Sequence, residues 1–433
     1  MKAVLNSSKL IDKRSRSMAS SNPKLHTRRE FLKKSFGLVA AASTVPTFLS
    51  RTAFALATPF DTARDNRILV VVQLGGGNDG LNTVIPFGHD AYYRSRPSLA
   101  VPKEKIVRIN DELGLPPNLA ALKNLYDSGK LAIVQGVGYP NPDRSHFRSM
   151  EIWQSGIAED FESSGWIGRM FDHTCNNAHL KEPCSPTLAV SVGETLNPAL
   201  KANNPVGVAL RDPEQFYRMT QVYANSEVAG DGQTANAKSD NPLDFLRRTA
   251  MNAELSADRI RRSIRSVQNK TDYPADPFAQ GLKLIAAMIA GNMDTRVYYI
   301  SLTGFDTHAN QAGVHERLLK ILGEGLAAFQ KDLEAFGQAE RVLGLTFSEF
   351  GRRVAENGSR GTDHGQAAPM FVFGKPVKPG VVGAHPSLEN LNDGDLVFHT
   401  DFRQVYATML EKWLGVDSAA ILGQKFGLLS LVG

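Results

Sequence analysis

Five of the chain's ten histidines fall between residues 308 and 399, each in a stretch that reads as a loop or a helix start. Two lie beside carboxylates, in Asp306-Thr307-His308 and in Asp363-His364-Gly365. A carboxylate and an imidazole offer a hard oxygen and a nitrogen, a pairing suited to zinc or another divalent metal. Asp79, Glu349, His385 and His399 extend the set. One Asp-His dipeptide is ordinarily a capped or solvated loop feature. About six or seven donors at several strand ends predict a two-metal centre, whose ions, roughly 3.5–4 Å apart, clamp a phosphate or sulfate ester.

The donors need a frame, and the apolar runs supply one. Ile68 to Leu74 is a continuous β-branched run, as expected of a strand buried on both faces of a parallel sheet. Leu131 to Gln135, Thr187 to Val192, Val297 to Leu302, Val342 to Phe347 and Met370 to Phe373 read as further strands. Between them, Leu119 to Leu125, the segment carrying Trp153, Phe278 to Ile289, Leu318 to Phe336 and Phe402 to Leu414 read as helices. This rhythm predicts an α/β fold with a mostly parallel sheet sandwiched between helices. In such sheets ligands bind beyond the carboxyl ends of the strands, where Asp79, Asp306 and Glu349 are expected.

Two stretches break the pattern. Gly75 to Gly80 follows the first strand, but Leu81 to Pro86 looks extended, which argues against a phosphate-cradling helix start. From about 193 to 276 the chain turns polar, with a flexible loop at 225–240 and an arginine-rich amphipathic helix at 243–267. That region is expected to be an insertion or cap on a core running from 66 to 430.

The formal charge of +5 misleads. Residues 1–55 hold eleven Lys and Arg against Asp12 and Glu30, leaving 38 basic and 42 acidic residues beyond them. A body of net charge −4 gives no support to a nucleic-acid partner. The same 55 residues read as an export signal. Thr27-Arg28-Arg29-Glu30-Phe31-Leu32-Lys33 matches the twin-arginine pattern, and Phe36 to Leu49 is an apolar run interrupted by Pro46. Ala53-Phe54-Ala55 is a small-x-small cleavage site. The expected partner is the twin-arginine translocation machinery, the destination periplasmic or extracellular, with no stable membrane anchor after cleavage. Cys175 and Cys184, the only cysteines, are expected to form a disulfide there in preference to a metal site with His173 and His179.

The segments GGGNDGLNTVIP, RSHF followed by WQSG, GFDTHANQ, TFSEFGRRVAENGSRGTDHG, HPSL and DFRQVYATMLEKWLG span roughly 66 to 430. Through them the chain resembles a bacterial family of twin-arginine-exported proteins catalogued as a domain of unknown function. That family is in turn similar to the alkaline phosphatase and sulfatase superfamily. The resemblance implies an alkaline-phosphatase-like fold, with Asp79, Asp306, His308, Asp363, His364 and His385 as metal ligands. The Asp-His spacing departs from the superfamily's, so His315 competes with His308, as His399 does with His385. Ser145 stands in the nucleophile's place in chain order, though outside the superfamily's nucleophile motifs, with Arg144 or Arg352 to balance the ester's oxygens. The implied function is an exported metal-dependent hydrolase of phosphate or sulfate esters. The alternative is a non-catalytic periplasmic binding or assembly protein on the inherited fold.

Overall fold

The computed structural model describes residues 66–177, 184–203, 207–224 and 242–433. The signal expected over 1–55, the loop at 225–240 and His179 lie outside the described residues.

Ile68–Gly75 (β1) occupies the interior of a nine-stranded sheet. Its other strands are Leu131–Gly138 (β2), Ala189–Val192 (β3), Gly207–Leu210 (β4), Val297–Thr303 (β5), Val342–Phe347 (β6), Ala368–Phe373 (β7), Gly380–Val382 (β8) and Thr400–Asp401 (β9). The order is β8-β2-β7-β6-β1-β5-β3-β4, with β9 also paired to β2. Only β7 runs against its neighbours; every other pairing in the sheet is parallel.

Alternation along β1 shows why its apolar run is unbroken. Ile68, Val70, Val72 and Leu74 pack on one face with Leu282, Leu322 and Phe329. Leu69 and Val71 pack on the other with Trp153, Trp166 and Tyr406. A strand covered on both faces has no solvent side to mark with polar residues. The covering helices include Ala120–Asp127 (α1), His146–Ser155 (α2), Trp166–Asn177 (α3), Pro277–Ala290 (α6), Gln311–Ala335 (α7) and Phe402–Thr408 (α8). Helix α8 runs on into a π-helical turn at Met409–Leu414.

The polar stretch expected as an insertion contributes to the sheet itself. Gly207–Leu210 pairs in parallel with β3 and forms the edge strand. Pro213–Ala224 (α4) and Pro242–Arg265 (α5) pack together beside it. Three half-buried residues and one buried one are too few to stand out as a strand in a polar sequence. Of the helix arginines, Arg259 meets Asp294, Arg261 and Arg265 meet Glu214, and Arg262 meets Asp258. Cys175 and Cys184 are joined, with Cα atoms 6.0 Å apart. Among the described residues no helix is long and apolar enough to cross a membrane.

Register fixes where the loops meet. Gly75 lies beside Thr303 and Gln73 beside Phe347, so β1, β5 and β6 end at one edge of the sheet. The segments 76–79, 304–308 and 348–365 leave from that edge together.

Candidate metal centre

Three imidazoles converge there on one carboxylate. His146 opens helix α2, Asp306 and His308 follow β5, and His364 lies in the loop after β6. Ligand atoms of His146, Asp306 and His364 all lie within 4.8 Å of one another. His308 joins them, with Nε2 at 2.8 Å from His364 Nε2 and 3.1 Å from Asp306 Oδ1. His364 Nε2 is 3.3 Å from that oxygen, and His146 Nε2 is 3.5 Å from Asp306 Oδ2.

Each ring's other nitrogen faces an oxygen acceptor. His364 Nδ1 meets the backbone carbonyl of Arg144 at 2.8 Å, His146 Nδ1 meets Glu349 Oε1 at 2.9 Å, and His308 Nδ1 meets Asp363 Oδ1 at 3.2 Å. Carbonyl and carboxylate oxygens only accept, so each Nδ1 donates outward, and each Nε2 is turned inward toward Asp306. This is the arrangement that orients histidine ligands toward a metal from outside. Asp306, Asp363 and Glu349, set against Arg352, leave the pocket net negative, which also suits a divalent ion.

Side-chain charges follow the same logic. Burial opposes ionisation of Asp306, but the hydrogen bond and charge of Arg352, with His364 and His146, bring its pKa down to about 2. Burial, with Arg352 and His146 nearby, lowers His364 below its ordinary value. Asp363 is lowered first by the Asn357 amide, which donates to it at 3.0 Å, and then by His308.

Close backbone approach makes this convergence possible. Gly76, at φ 118°, lies where a Cβ would come within 2.4 Å of the Asp306 nitrogen. At Gly361 a Cβ would be 2.2 Å from the His308 carbonyl carbon. The glycines after β1 therefore serve the approach of one loop to another.

The other six residues expected at the site are placed as follows. Asp79 is fully buried and salt-bridged to Arg96 at 2.5 Å; it also accepts from Gln311 at 2.5 Å and caps the turn Gly80–Asn82 through Leu81 N. That turn stands where an extended segment was expected. His385 directs Nδ1 to its neighbour's carbonyl at Pro386 and stacks near His89, making none of its contacts with the cluster. The guanidinium of Arg144 is held by Asp395 at 2.5 Å, leaving only its carbonyl to serve His364. Arg352 is buried, donating to the Gly76, Gly77, Phe305 and Thr362 carbonyls and to Asp306 at 2.8 Å. Ser145 is exposed at the N-terminal boundary of α2, where its side chain does not cap the helix. Asp363 sits one bond outward, behind His308. Of the rival histidines, His315 is buried against Asn78 at 2.9 Å, and His399 bonds Thr400 and the Ala384 carbonyl.

Among the described residues one group of three donors gathers closely enough to hold an ion, His146, Asp306 and His364. His146 is the member of the cluster that chain order did not reveal. Its signal was local, a histidine opening a helix directly after the loop from β2.

Fold and cluster together define an α/β protein with a mostly parallel sheet and a three-histidine, one-aspartate centre at its strand ends. Residues 129–430 match the family described as "Protein of unknown function (DUF1501)", and the chain belongs to that family. No curated protein matches its sequence. Among solved structures it is similar to the PsFucS1 sulfatase from Pseudoalteromonas sp., at 10% identity and a TM-score of 0.36, with 93% of this chain and 75% of that one covered. It is similar to a protein in the alkaline phosphatase superfamily from Vibrio parahaemolyticus, at 10% identity and 0.36, covering 91% and 78%. The C-terminal periplasmic domain of EcEptC from Escherichia coli, in complex with Zn, matches at 10% and 0.33, covering 72% and 74%. Likenesses this distant lend nothing to the reading of the site, which rests on its own geometry.

Proposed function

We propose that the chain is an exported metal-dependent hydrolase of phosphate or sulfate esters, with one divalent ion held by His146, His308, His364 and Asp306. The observation that carries this reading is the inward convergence of three Nε2 atoms on Asp306, each ring anchored by an acceptor behind it. A three-nitrogen, one-oxygen set of this kind suits zinc. When bound, the ion supplies Lewis-acid polarisation of an ester oxygen.

The remaining work falls to the chain. Asp306 is held ionised by Arg352, and Glu349 and Asp363 keep two imidazoles turned inward. Ser145 leaves the first-turn amides of α2 uncapped, so that end of a ten-residue helix favours an anionic oxygen beside the cluster. Ser145 itself is the proposed hydroxyl for a covalent route. In net hydrolysis a water oxygen bonds to phosphorus or sulfur, the bond to the alcohol oxygen breaks, and that oxygen takes up a proton. Export by the twin-arginine machinery and cleavage near residue 55 complete the proposal; the disulfide fits an oxidising destination.

One observation favours the binding-protein reading. Arg144 and Arg352, the guanidiniums expected to hold the ester's outer oxygens, are both committed to partners within the protein.

The test measures metal content of the mature protein and of His146→Ala, then turnover of aryl phosphate and aryl sulfate esters. About one equivalent, lost in the variant and accompanied by hydrolysis, supports the enzyme. Metal without turnover of either ester supports the binding protein. A wild type that cannot be loaded with metal overturns both readings of the cluster.

A further inference from the structure

Beside the cluster lies a cavity of about 620 Å³ that the chemistry above does not use. Arg144 links the two: it lines the cavity, and its backbone carbonyl holds His364 at 2.8 Å. The next two residues, Ser145 and His146, lead into the centre. An ester bound at the cluster would extend its alcohol portion toward this space.

The lining defines what fits. Asn141, Gln366 and Asn392 bring three amides, each able to donate and to accept. Val397 and Phe398 form an apolar wall. Phe398 is fixed against β2, since a Cβ placed on Gly138 would lie 2.7 Å from that of Phe398. The lining's cation is already neutralised, with Arg144 2.5 Å from Asp395 and 3.6 Å from Asp393. Asp143 adds a further acid. A second phosphate or sulfate would meet no free positive charge here. A neutral group rich in hydroxyls, with an apolar ring face, satisfies both the amides and the wall.

The geometry points to a leaving-group subsite for a sugar-like polyol, which makes the substrate a carbohydrate phosphate or sulfate ester. The inference rests on the ester-hydrolase reading, and its test keeps the two separate. Wild type and a Gln366→Ala/Asn392→Ala double variant are assayed on pyranose monophosphate and monosulfate esters and on phenyl phosphate and phenyl sulfate. Neutral tri- to pentasaccharides are tested for direct binding by saturation-transfer NMR. The expected result is a preference for the pyranose ester in the wild type that falls about tenfold in the variant, mostly through KM. Saccharide binding should weaken in step. Equal loss on phenyl and pyranose esters, or hydrolysis of phenyl esters with no saccharide binding, overturns the subsite and leaves the hydrolase standing. Saccharide binding that the variant abolishes, without hydrolysis of any ester, upholds the subsite and removes the hydrolase. Neither binding nor hydrolysis removes both.

Discussion

Replacing Asp79 with Asn separates a structural carboxylate from a metal ligand. Its Oδ2 lies 2.5 Å from Arg96 Nη1, and both side chains are fully buried. The same oxygen accepts from Gln311 at 2.5 Å, and Oδ1 accepts from Leu81 N at 3.2 Å. Removing one charge of a buried pair costs roughly 3–5 kcal/mol, because the other is stranded without compensation. Arg96 would keep the carbonyls of Val354 and Arg353 and the amide oxygen of Asn82, each at 2.9 Å. Those acceptors place the loss at the low end, about 3 kcal/mol, or about 150-fold in the folding equilibrium. Urea unfolding followed by tryptophan fluorescence measures it, with elemental analysis on the same preparations. The midpoint should fall, the slope should hold, and the metal content should equal that of the wild type. Normal stability with lost metal would refute the reasoning and make Asp79 a ligand.

Three further perturbations probe the same frame. Glu349→Gln removes the charge behind His146 and should weaken metal binding about 10–100-fold in chelator competition; unchanged affinity would take Glu349 out of the site. Burial pushes His315 from 6.5 down to about 4, so the unfolded chain binds a proton between those values that the folded one refuses. Stability is therefore full above pH 6.5 and lost toward pH 4, by up to about 3 kcal/mol, and a non-titrating His315→Gln should flatten that slope in denaturation at pH 7 and pH 4.5. Gly76→Ala forces a Cβ to 2.4 Å from the Asp306 nitrogen at a φ of 118°, and should cost at least about 2 kcal/mol; a loss near zero would deny the close approach.

The sheet was legible because its strands are buried on both faces, so burial wrote itself into unbroken apolar runs at Ile68, Leu131, Val297 and Val342. Short edge elements such as Gly207–Leu210 carry too little apolar surface to be seen. Asp306 and His308 were legible as donors just past a strand end, and His364 as a donor in the long loop after Val342–Phe347. Asp79 and His385 occupied equally plausible loops, and their fates depended on contacts that sequence order hides. Asp79 meets Arg96, 17 residues on, and Gln311, 232 residues on. Chain order drew attention to Ser145 and Arg144, and the cluster takes in the histidine beside them.

Arg352 shows why these donors meet at all. A guanidinium next to an expected ester site reads naturally as an oxygen clamp. In the fold it is buried and spends its donors on the loop after β1 at Gly76 and Gly77, the loop after β5 at Phe305 and Asp306, and the returning chain at Thr362. Burying that charge is costly unless every donor is met, and here three separate loops supply the acceptors. A lysine could not repeat this, because an ammonium lacks the planar fork that reaches several carbonyls at once. The same guanidinium fixes Asp306, the carboxylate on which the imidazoles converge. Its cost in desolvation is thus offset by the bonds that hold the three loops, and the cluster is assembled by the chain's own contacts.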